Sequence, residues 1–248
     1  MRRAALVAIL ALALPSGAQA DPSQPGIVHV PRVQGQSLAQ WGGSLYAGNC
    51  LKCHGPGGQG TGAGPSLKGV GALTADFYLT TGYMPLSSPD DQPHRSPQLL
   101  TDREVDALVA YVASLGNGPP IPRPRPGNVA EGMQLFTEHC AGCHQIVAEG
   151  GYVKGARVPP LDHATATQIE EAVRTGPYLM PRFSPKAISY RQLDSIVAYV
   201  QYARHPDDAG GWSIGHVGPV PEGLVTWLIA GAILVALCVV IGERSRRT

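Results

Sequence analysis

Two C-x-x-C-H motifs, at residues 50–54 and 140–144, constrain the fold of this chain more than any other feature. In such a motif two thiols can form thioethers with the vinyl groups of one haem, and the histidine that follows presents its imidazole to the iron. The sequence therefore predicts two covalently bound haem c groups. The predicted thioether residues are Cys50, Cys53, Cys140 and Cys143, and the predicted proximal iron ligands are His54 and His144.

Other roles for paired cysteines fit this sequence less well. Two C-x-x-C pairs can form a four-thiolate zinc site, but these pairs lie ninety positions apart, and zinc does not require a histidine directly after each pair. A thioredoxin-like dithiol needs a βαβ context, which the sequence lacks. Disulfide bonds are possible in an oxidising compartment, but they leave the two adjacent histidines unexplained. Haem attachment is therefore the best interpretation.

The two motifs lie in two halves of similar sequence. A leucine and an aromatic residue precede each motif at the same offset, Leu45 and Tyr46 in the first half and Leu135 and Phe136 in the second. Such an internal repeat indicates two equivalent domains. Between them, residues 119–126 contain five prolines in eight positions, which favours a semi-rigid polyproline II linker.

Each half also ends in a predicted amphipathic helix. Capping-box patterns open these helices, from Thr101 to Glu104 and from Ser189 to Gln192, where hydroxyl and acid or amide groups can satisfy free backbone amides. Apolar residues at helical spacing share one face of each helix. These residues are Val105, Leu108, Val109 and Val112 in the first helix, and Leu193, Ile196, Val197 and Val200 in the second.

The four methionines supply the candidates for the second axial ligand of each iron. Met1 is predicted to leave with a signal peptide, and Met133 is predicted to pack in the core of the helix before the second motif. Met84 and Met180 remain, one in each half and each directly before a proline. They are the predicted distal ligands, although core packing is a common alternative role for methionine. Histidine–methionine ligation raises the reduction potential and fills the sixth coordination position, which favours electron transfer over catalysis at the iron.

Two prolines recur at equivalent places after the motifs, Pro65 and Pro159. Their carbonyl groups are candidates to accept a hydrogen bond from Nδ1 of the proximal histidine and so to fix its tautomer. Rigidity of the loop alone is the alternative role for these prolines.

Both ends of the chain carry apolar segments. Residues 1–20 have the charged, apolar and small-residue regions of a secretory signal peptide, with an uncleaved anchor as the alternative. Residues 224–241 contain no formal charge and are long enough to span a membrane, with a buried helix of a soluble domain as the alternative. Arg244, Arg246 and Arg247 follow, and by the positive-inside rule they place the C-terminus in the cytoplasm and the haem domains outside.

The charge of the exported part excludes one class of partner. Without the signal peptide and the tail, the chain has 19 − 5 = 14 Lys and Arg residues and 18 − 1 = 17 Asp and Glu residues, a net charge of −3. A nucleic-acid-binding domain would instead carry a basic surface. We therefore expect a membrane-associated protein that does not bind nucleic acid.

The repeat of helix, C-x-x-C-H, proline loop, methionine loop and C-terminal helix resembles class I cytochrome c. The segment Gly-Pro-Val-Pro-Glu-Gly at 218–223 and the helix after it look like those of the dihaem cytochrome c subunit of the actinobacterial cytochrome bc complex. The resemblance implies an all-α fold with two tandem class I cytochrome c domains and one C-terminal transmembrane helix. It also implies partners: a cytochrome b subunit, a Rieske iron–sulfur subunit that donates electrons, and an aa-type terminal oxidase that accepts them.

The resemblance implies that the chain carries electrons as a subunit of a quinol–cytochrome c reductase and is not catalytic alone. The alternatives are a free-standing membrane-anchored dihaem carrier, a dihaem peroxidase and the cytochrome subunit of a dehydrogenase. We expect the chain to divide into eight segments. The predicted segments are a signal peptide (1–20), an N-terminal extension (21–40), cytochrome c domain 1 (41–116), a linker (117–128), cytochrome c domain 2 (129–204), a connector (205–223), a transmembrane helix (224–241) and a cytoplasmic tail (242–248).

Overall fold

The computed structural model describes residues 26–204 and 219–247. The predicted signal peptide and residues 205–218 of the predicted connector lie outside these residues. The described part is helical apart from one short antiparallel hairpin, so the predicted all-α fold is confirmed. Its elements are α1 (Leu38–Asn49), α2 (Leu51–His54), α3 (Gly71–Thr80), α4 (Asp102–Ser114), α5 (Val129–His139), α6 (Ala141–His144), β1 (Gly151–Val153), β2 (Ala156–Val158), α7 (Ala166–Thr175), α8 (Tyr190–Arg204) and α9 (Pro219–Arg247).

By their contacts the residues group into two compact units. Of the described residues, unit 1 contains those up to Arg123 together with Thr167–Ala187, and unit 2 contains Pro124–Ala166 together with those from Ile188 onward. Most of α7 and the segment after it therefore pack in unit 1. The sequence repeat instead assigns 129–204 to one domain, and those domain boundaries remain a prediction.

The core of unit 1 forms where α1 packs against α4. The two helices approach so closely at Gly42 that a Cβ atom there would lie 1.8 Å from the carbonyl oxygen of Ala107. Around this contact Leu45, Tyr46 and Leu108 are at most 1% exposed. Burying side chains of this size contributes about 1.5–3 kcal/mol each, so the α1–α4 contact is a main source of stability.

Unit 2 repeats this helix contact with α5 and α8. A Cβ atom at Gly132 would lie 1.9 Å from the carbonyl oxygen of Ser195. Phe136, Leu193 and Ile196 are each 1% exposed beside it. The predicted apolar faces of α4 and α8 are thus confirmed as the buried faces of these helices.

The helix N-termini have the caps that the sequence predicts. In α4 the Thr101 hydroxyl accepts a hydrogen bond from the backbone N–H of Glu104, and the Glu104 carboxylate accepts one from the backbone N–H of Thr101. Ser189 and Gln192 exchange the same two bonds at α8. Both predicted capping boxes are confirmed, and each satisfies amides that a helix leaves free at its start.

Hydrogen bonds that involve Trp41, Asn49 and Glu104 hold the segment before α1 against the rest of unit 1. The side chain of Asn49 bonds to both the N–H and the carbonyl of Val28. The indole N–H of Trp41 donates to the carbonyl of Val30, at 2.7 Å. His29 Nδ1 lies 2.9 Å from the carboxylate of Glu104. Burial disfavours the Glu104 carboxylate, but hydrogen bonds from Thr101 and His29 outweigh it and lower its pKa.

One described helix is long and apolar enough to cross a membrane. The stretch Gly223–Arg246 of α9 contains a window of 18 residues with a mean hydropathy of 2.9, and none of that window is buried in the protein. The whole helix of 29 residues is about 44 Å long at 1.5 Å per residue, compared with about 30 Å for the hydrocarbon core of a bilayer. This helix contains the predicted transmembrane segment.

We expect Gly42→Ala and Gly132→Ala each to lower the free energy of unfolding by about 3 kcal/mol or more, because the added methyl group would collide with backbone that cannot rotate away. Thermal unfolding of the full-length haem protein in mild detergent measures the loss. Gly43→Ala is the matched control on the same helix, since its Cβ would lie 3.3 Å from the Tyr111 ring. Its change should stay within about 1 kcal/mol. Equal melting temperatures for Gly42→Ala and Gly43→Ala would contradict the close α1–α4 approach.

Candidate haem-binding sites

The first cysteine of each motif is a hinge between two helices. Cys50 ends α1 and begins the single turn α2, with φ −123° and ψ −27°, and Cys140 does the same between α5 and α6, with φ −122° and ψ −36°. The carbonyl of each hinge cysteine accepts a hydrogen bond, 2.9 Å long, from the backbone N–H of the motif histidine four residues on. Residues three and four apart on a helical turn share a face. This turn therefore brings two thiols and one imidazole to the same side.

Each motif histidine is oriented by a proline carbonyl. His54 Nδ1 lies 2.8 Å from the carbonyl oxygen of Pro65, and His144 Nδ1 lies 3.3 Å from that of Pro159. Because a carbonyl can only accept, the hydrogen must be on Nδ1, which leaves the Nε2 lone pair free for a metal. Burial lowers the pKa of His144, opposed in part by its bond to Pro159. A neutral, oriented imidazole is the form that binds iron.

The first thiol of each motif lies in surroundings that suit an apolar cofactor. Cys50 is partly buried and Cys140 is buried, and none of the four motif cysteines forms a disulfide. Burial, followed by the neighbouring Cys53, raises the pKa of Cys50 to about 12. Burial and Cys143 raise that of Cys140 to about 11. Such poorly solvated sulfurs fit thioether bonds beside a porphyrin better than they fit thiolate ligands of a metal ion, which must ionise.

A buried tyrosine hydroxyl fixes the loop after each motif. In unit 1 the Tyr46 hydroxyl, on α1, donates to the carbonyl of Gly55 at 2.6 Å. In unit 2 the corresponding position is Phe136, and the hydroxyl comes instead from Tyr199 on α8, which donates to the carbonyl of Ile146 at 2.6 Å. Burial raises the pKa of Tyr46 to about 12, so this hydroxyl remains a donor at any physiological pH.

The aromatic pairs behind these hydroxyls also match between the units. The rings of Tyr46 and Tyr111 lie 4.9 Å apart in unit 1, and those of Phe136 and Tyr199 lie 5.3 Å apart in unit 2. The sequence analysis did not predict that the donating tyrosine lies on α1 in unit 1 but on α8 in unit 2. The signal was present, because Tyr111 and Tyr199 occupy the same place in the repeated Ala-Tyr-Val while Tyr46 matches a phenylalanine.

The loop between histidine and proline differs in length between the two sites. It runs 11 residues from His54 to Pro65 and closes with a single bridge between Thr61 and Gly64. It runs 15 residues from His144 to Pro159 and contains the hairpin β1–β2, in which Gly151 pairs with Val158. The second site therefore carries an inserted hairpin that the sequence analysis did not predict.

The predicted methionine ligands are themselves partly buried, and Leu179 and Pro181 on either side of Met180 are exposed. The backbone N–H of Met84 donates to the carbonyl of Tyr78 at 3.0 Å, which fixes its segment to the end of α3. Met180 follows α7, whose Val173 carbonyl accepts a bond from the N–H of Phe183. His54, Met84 and Met180 belong to unit 1, and His144 belongs to unit 2. The role of both methionines as iron ligands remains a prediction.

The prediction for one methionine is wrong. Met133, expected in the core, is 53% exposed on α5. The apolar face of that helix is formed by Gly132 and Phe136, one and three residues away. Met133 therefore lies outside the buried face of α5. Its position next to apolar residues in the sequence had wrongly suggested that it is buried.

Comparisons with known proteins agree with this geometry. A family model described as Cytochrome c matches residues 39–116, and one described as Cytochrome C oxidase, cbb3-type, subunit III matches residues 127–200. The solved cytochrome c4 of Pseudomonas stutzeri is 21% identical and covers 66% of this chain and 97% of its own, with a TM-score of 0.24. The chain is a c-type cytochrome with two covalently bound haem groups and two tandem class I domains.

Individual relatives identify the family to which this c-type cytochrome belongs. The cytochrome bc1 complex cytochrome c subunit of Corynebacterium diphtheriae is 36% identical over 85% of this chain and 82% of its own length. The protein of the same name from Mycobacterium bovis is 34% identical over 96% of this chain and 89% of its own length. This chain belongs to the family of cytochrome bc1 complex cytochrome c subunits.

Tyr46→Phe and Tyr199→Phe should each destabilise the protein by about 1–2 kcal/mol, because each removes the hydrogen bond from a tyrosine hydroxyl to a loop carbonyl. Denaturant unfolding of the full-length haem protein measures the change. Tyr111→Phe is the matched control, because its hydroxyl makes no hydrogen bond to the residues that the structure describes, and it should change stability by less than about 0.5 kcal/mol. A Tyr46→Phe effect no larger than that of Tyr111→Phe would argue against the clamp on the loop.

Proposed function

We propose that this chain is the electron-transfer subunit of a quinol–cytochrome c reductase, which accepts electrons from a Rieske iron–sulfur centre and passes them to an aa-type terminal oxidase. The observation that carries the proposal is the pair of C-x-x-C-H turns with the same hinge and the same histidine–carbonyl bond. Two equivalent redox sites in one anchored chain suit a relay. The names of the relatives place them in a cytochrome bc1 complex, which supports the same assignment here.

In this proposal the side chains hold the cofactors and determine their access. Cys50, Cys53, Cys140 and Cys143 carry the thioether bonds, and His54 and His144 bind the irons with the tautomer that Pro65 and Pro159 impose. Bound haem c supplies a one-electron redox couple. Met84 and Met180 would supply the thioether ligands of the irons, which would raise the reduction potential and exclude oxygen and peroxide. Each site then exchanges electrons without binding a substrate at the iron.

We further propose the orientation of the chain in the membrane. α9 ends in a basic segment with Arg244 and Arg246, and such segments stay on the cytoplasmic side. The haem domains then lie on the opposite side of a single-pass protein. Haem attachment outside the cytoplasm agrees with the predicted signal peptide at residues 1–20.

A cytochrome b subunit is the third proposed partner, since a Rieske donor works beside one in such a reductase. The competing function is a free-standing membrane-anchored carrier that serves several enzymes. The match to bc1-complex subunits over most of the chain favours an obligate subunit, because a free carrier has no need of a fixed partner.

Affinity purification of the full-length tagged chain from its own membranes in mild detergent tests the partners. We expect a b-type cytochrome, a Rieske protein and oxidase subunits to co-purify in fixed ratios. The control is the same purification after a harsher detergent, which should release the partners while the two haem groups stay covalently attached. Isolation of the dihaem chain alone in mild detergent would support the free carrier and reject the proposal.

Met84→Ala and Met180→Ala test the ligands. Each variant should remove about half of the sulfur-to-iron absorption band of the ferric protein and lower the reduction potential of one haem, because each iron loses its thioether ligand. Met133→Ala, on the exposed surface of α5, is the matched control and should leave both unchanged. If either ligand variant retains the full band, that methionine is not an axial ligand.

A further inference from the structure

A carboxyl group on α7 is buried without ordinary hydrogen bonds. Glu171 is 0% exposed. Neither of its carboxyl oxygens makes a hydrogen bond of normal length and angle to the described residues. An ionised carboxylate is very costly in such a place, so a buried carboxyl group tends to keep its proton. The proposed electron transfer gives this residue no role.

A second carboxyl group faces it from α3. Asp76 and Glu171 lie close enough for each carboxyl group to shift the pKa of the other. Burial, and then Asp76, raises the pKa of Glu171 to about 9. Burial also raises the pKa of Asp76, which its contact with Glu171 opposes. Two carboxyl groups this close do not both ionise, and one proton remains between them.

The other charged groups around the pair do not change this conclusion. Asp106 on α4 acts on Asp76, and Glu170 on α7 acts on Glu171, and both add negative charge. Two arginines lie on the surrounding segments, and neither is among the groups that act on the pair. Arg95 donates to the side chain of Gln168, and Arg174 donates to the carbonyl of Phe183.

Further contacts show that α3 and α7 run antiparallel within unit 1. The hydroxyls of Thr74 and Thr175 lie 3.3 Å apart at one end. At the other end the Gln168 side chain donates to the Thr80 hydroxyl at 3.1 Å. The carboxyl pair lies between these two contacts. It is therefore the ionisable part of the α3–α7 contact.

The carboxyl pair is also linked through the backbone to both methionine segments. Two residues after Asp76, the Tyr78 carbonyl accepts the bond from the N–H of Met84. Two residues after Glu171, the Val173 carbonyl accepts the bond from the N–H of Phe183, which follows Met180. Each helix thus holds its methionine segment close to its own carboxyl group.

We propose that Asp76 and Glu171 share one proton, and that this proton holds α7 against α3 and keeps the methionine segments in place. The two carboxyl groups are then positioning residues for the axial ligands. The spectroscopic part of this inference rests on the methionine ligation proposed above, whereas the shared proton does not.

The pH dependence follows from the direction of the shift. The pKa of Glu171 in the folded protein lies above its ordinary value of 4.5, so the folded state binds this proton more tightly than the unfolded state does. The stabilising contribution is complete below about pH 4.5 and is lost as the pH rises to about 9. Above that pH two carboxylates face each other, and the α3–α7 contact weakens.

Infrared spectroscopy of the full-length haem protein in detergent tests the shared proton directly. The wild type at pH 7 should show the carbonyl stretch of a protonated carboxylic acid, and Glu171→Gln should lose it. Glu138→Gln, at an exposed carboxylate on α5, is the matched control and should leave the spectrum in this region unchanged. A wild-type protein without this band, or with the same band as Glu171→Gln, would overturn the shared proton.

Alkaline titration of the ferric protein tests the positioning role. The sulfur-to-iron band of the wild type should weaken as the pH rises, and Glu171→Gln should shift the midpoint upward by at least about one pH unit, because the amide cannot ionise. Asp76→Asn is a second variant, and it should shift the midpoint in the same direction by relieving the repulsion. Coincident titration curves for wild type and both variants would overturn the positioning role. Failure of the methionine ligation would instead appear in Met84→Ala and Met180→Ala, with the infrared result intact.

Discussion

The structure depends on one geometric requirement, that two thiols and one imidazole must reach the same side of a single helical turn. The hinge cysteines Cys50 and Cys140 meet it by ending one helix and starting the next. Neighbouring contacts fix this turn from several directions. The crossing at Gly42 or Gly132 fixes the helix before it, a tyrosine hydroxyl fixes the loop after it, and a proline carbonyl fixes the histidine. The domain is thus arranged around a turn of four residues.

Features that depend on neighbours in the sequence could be predicted from the sequence. The capping boxes at Thr101 and Ser189, the apolar faces of α4 and α8 and the haem motifs all depend on residues within a few positions of one another. The long apolar helix near the C-terminus is equally local. The repeat added the pairing of equivalent positions, and with it the match of Tyr46 with Phe136.

Features that depend on distant neighbours could not be predicted. Met133 lies beside an apolar stripe, and only the packing of α5 on α8 shows that it falls outside the buried face. The hairpin between His144 and Pro159 arises from a difference in loop length whose conformation no short motif specifies. Glu171 has the sequence context of a solvated helix residue, and its burial depends on α3, almost a hundred positions away. The packing of Thr167–Ala187 in unit 1 likewise depends on residues far away in the sequence.

The exchanged tyrosine donor has a consequence for how such a chain can change over generations. Unit 1 carries hydroxyls on both members of its aromatic pair, Tyr46 and Tyr111, although only Tyr46 bonds to the loop. Unit 2 retains only the hydroxyl of Tyr199, at the place that corresponds to Tyr111. A pair with two hydroxyls is therefore a natural intermediate between the two arrangements. Through it, a duplicated domain can gain the second hydroxyl before it loses the first.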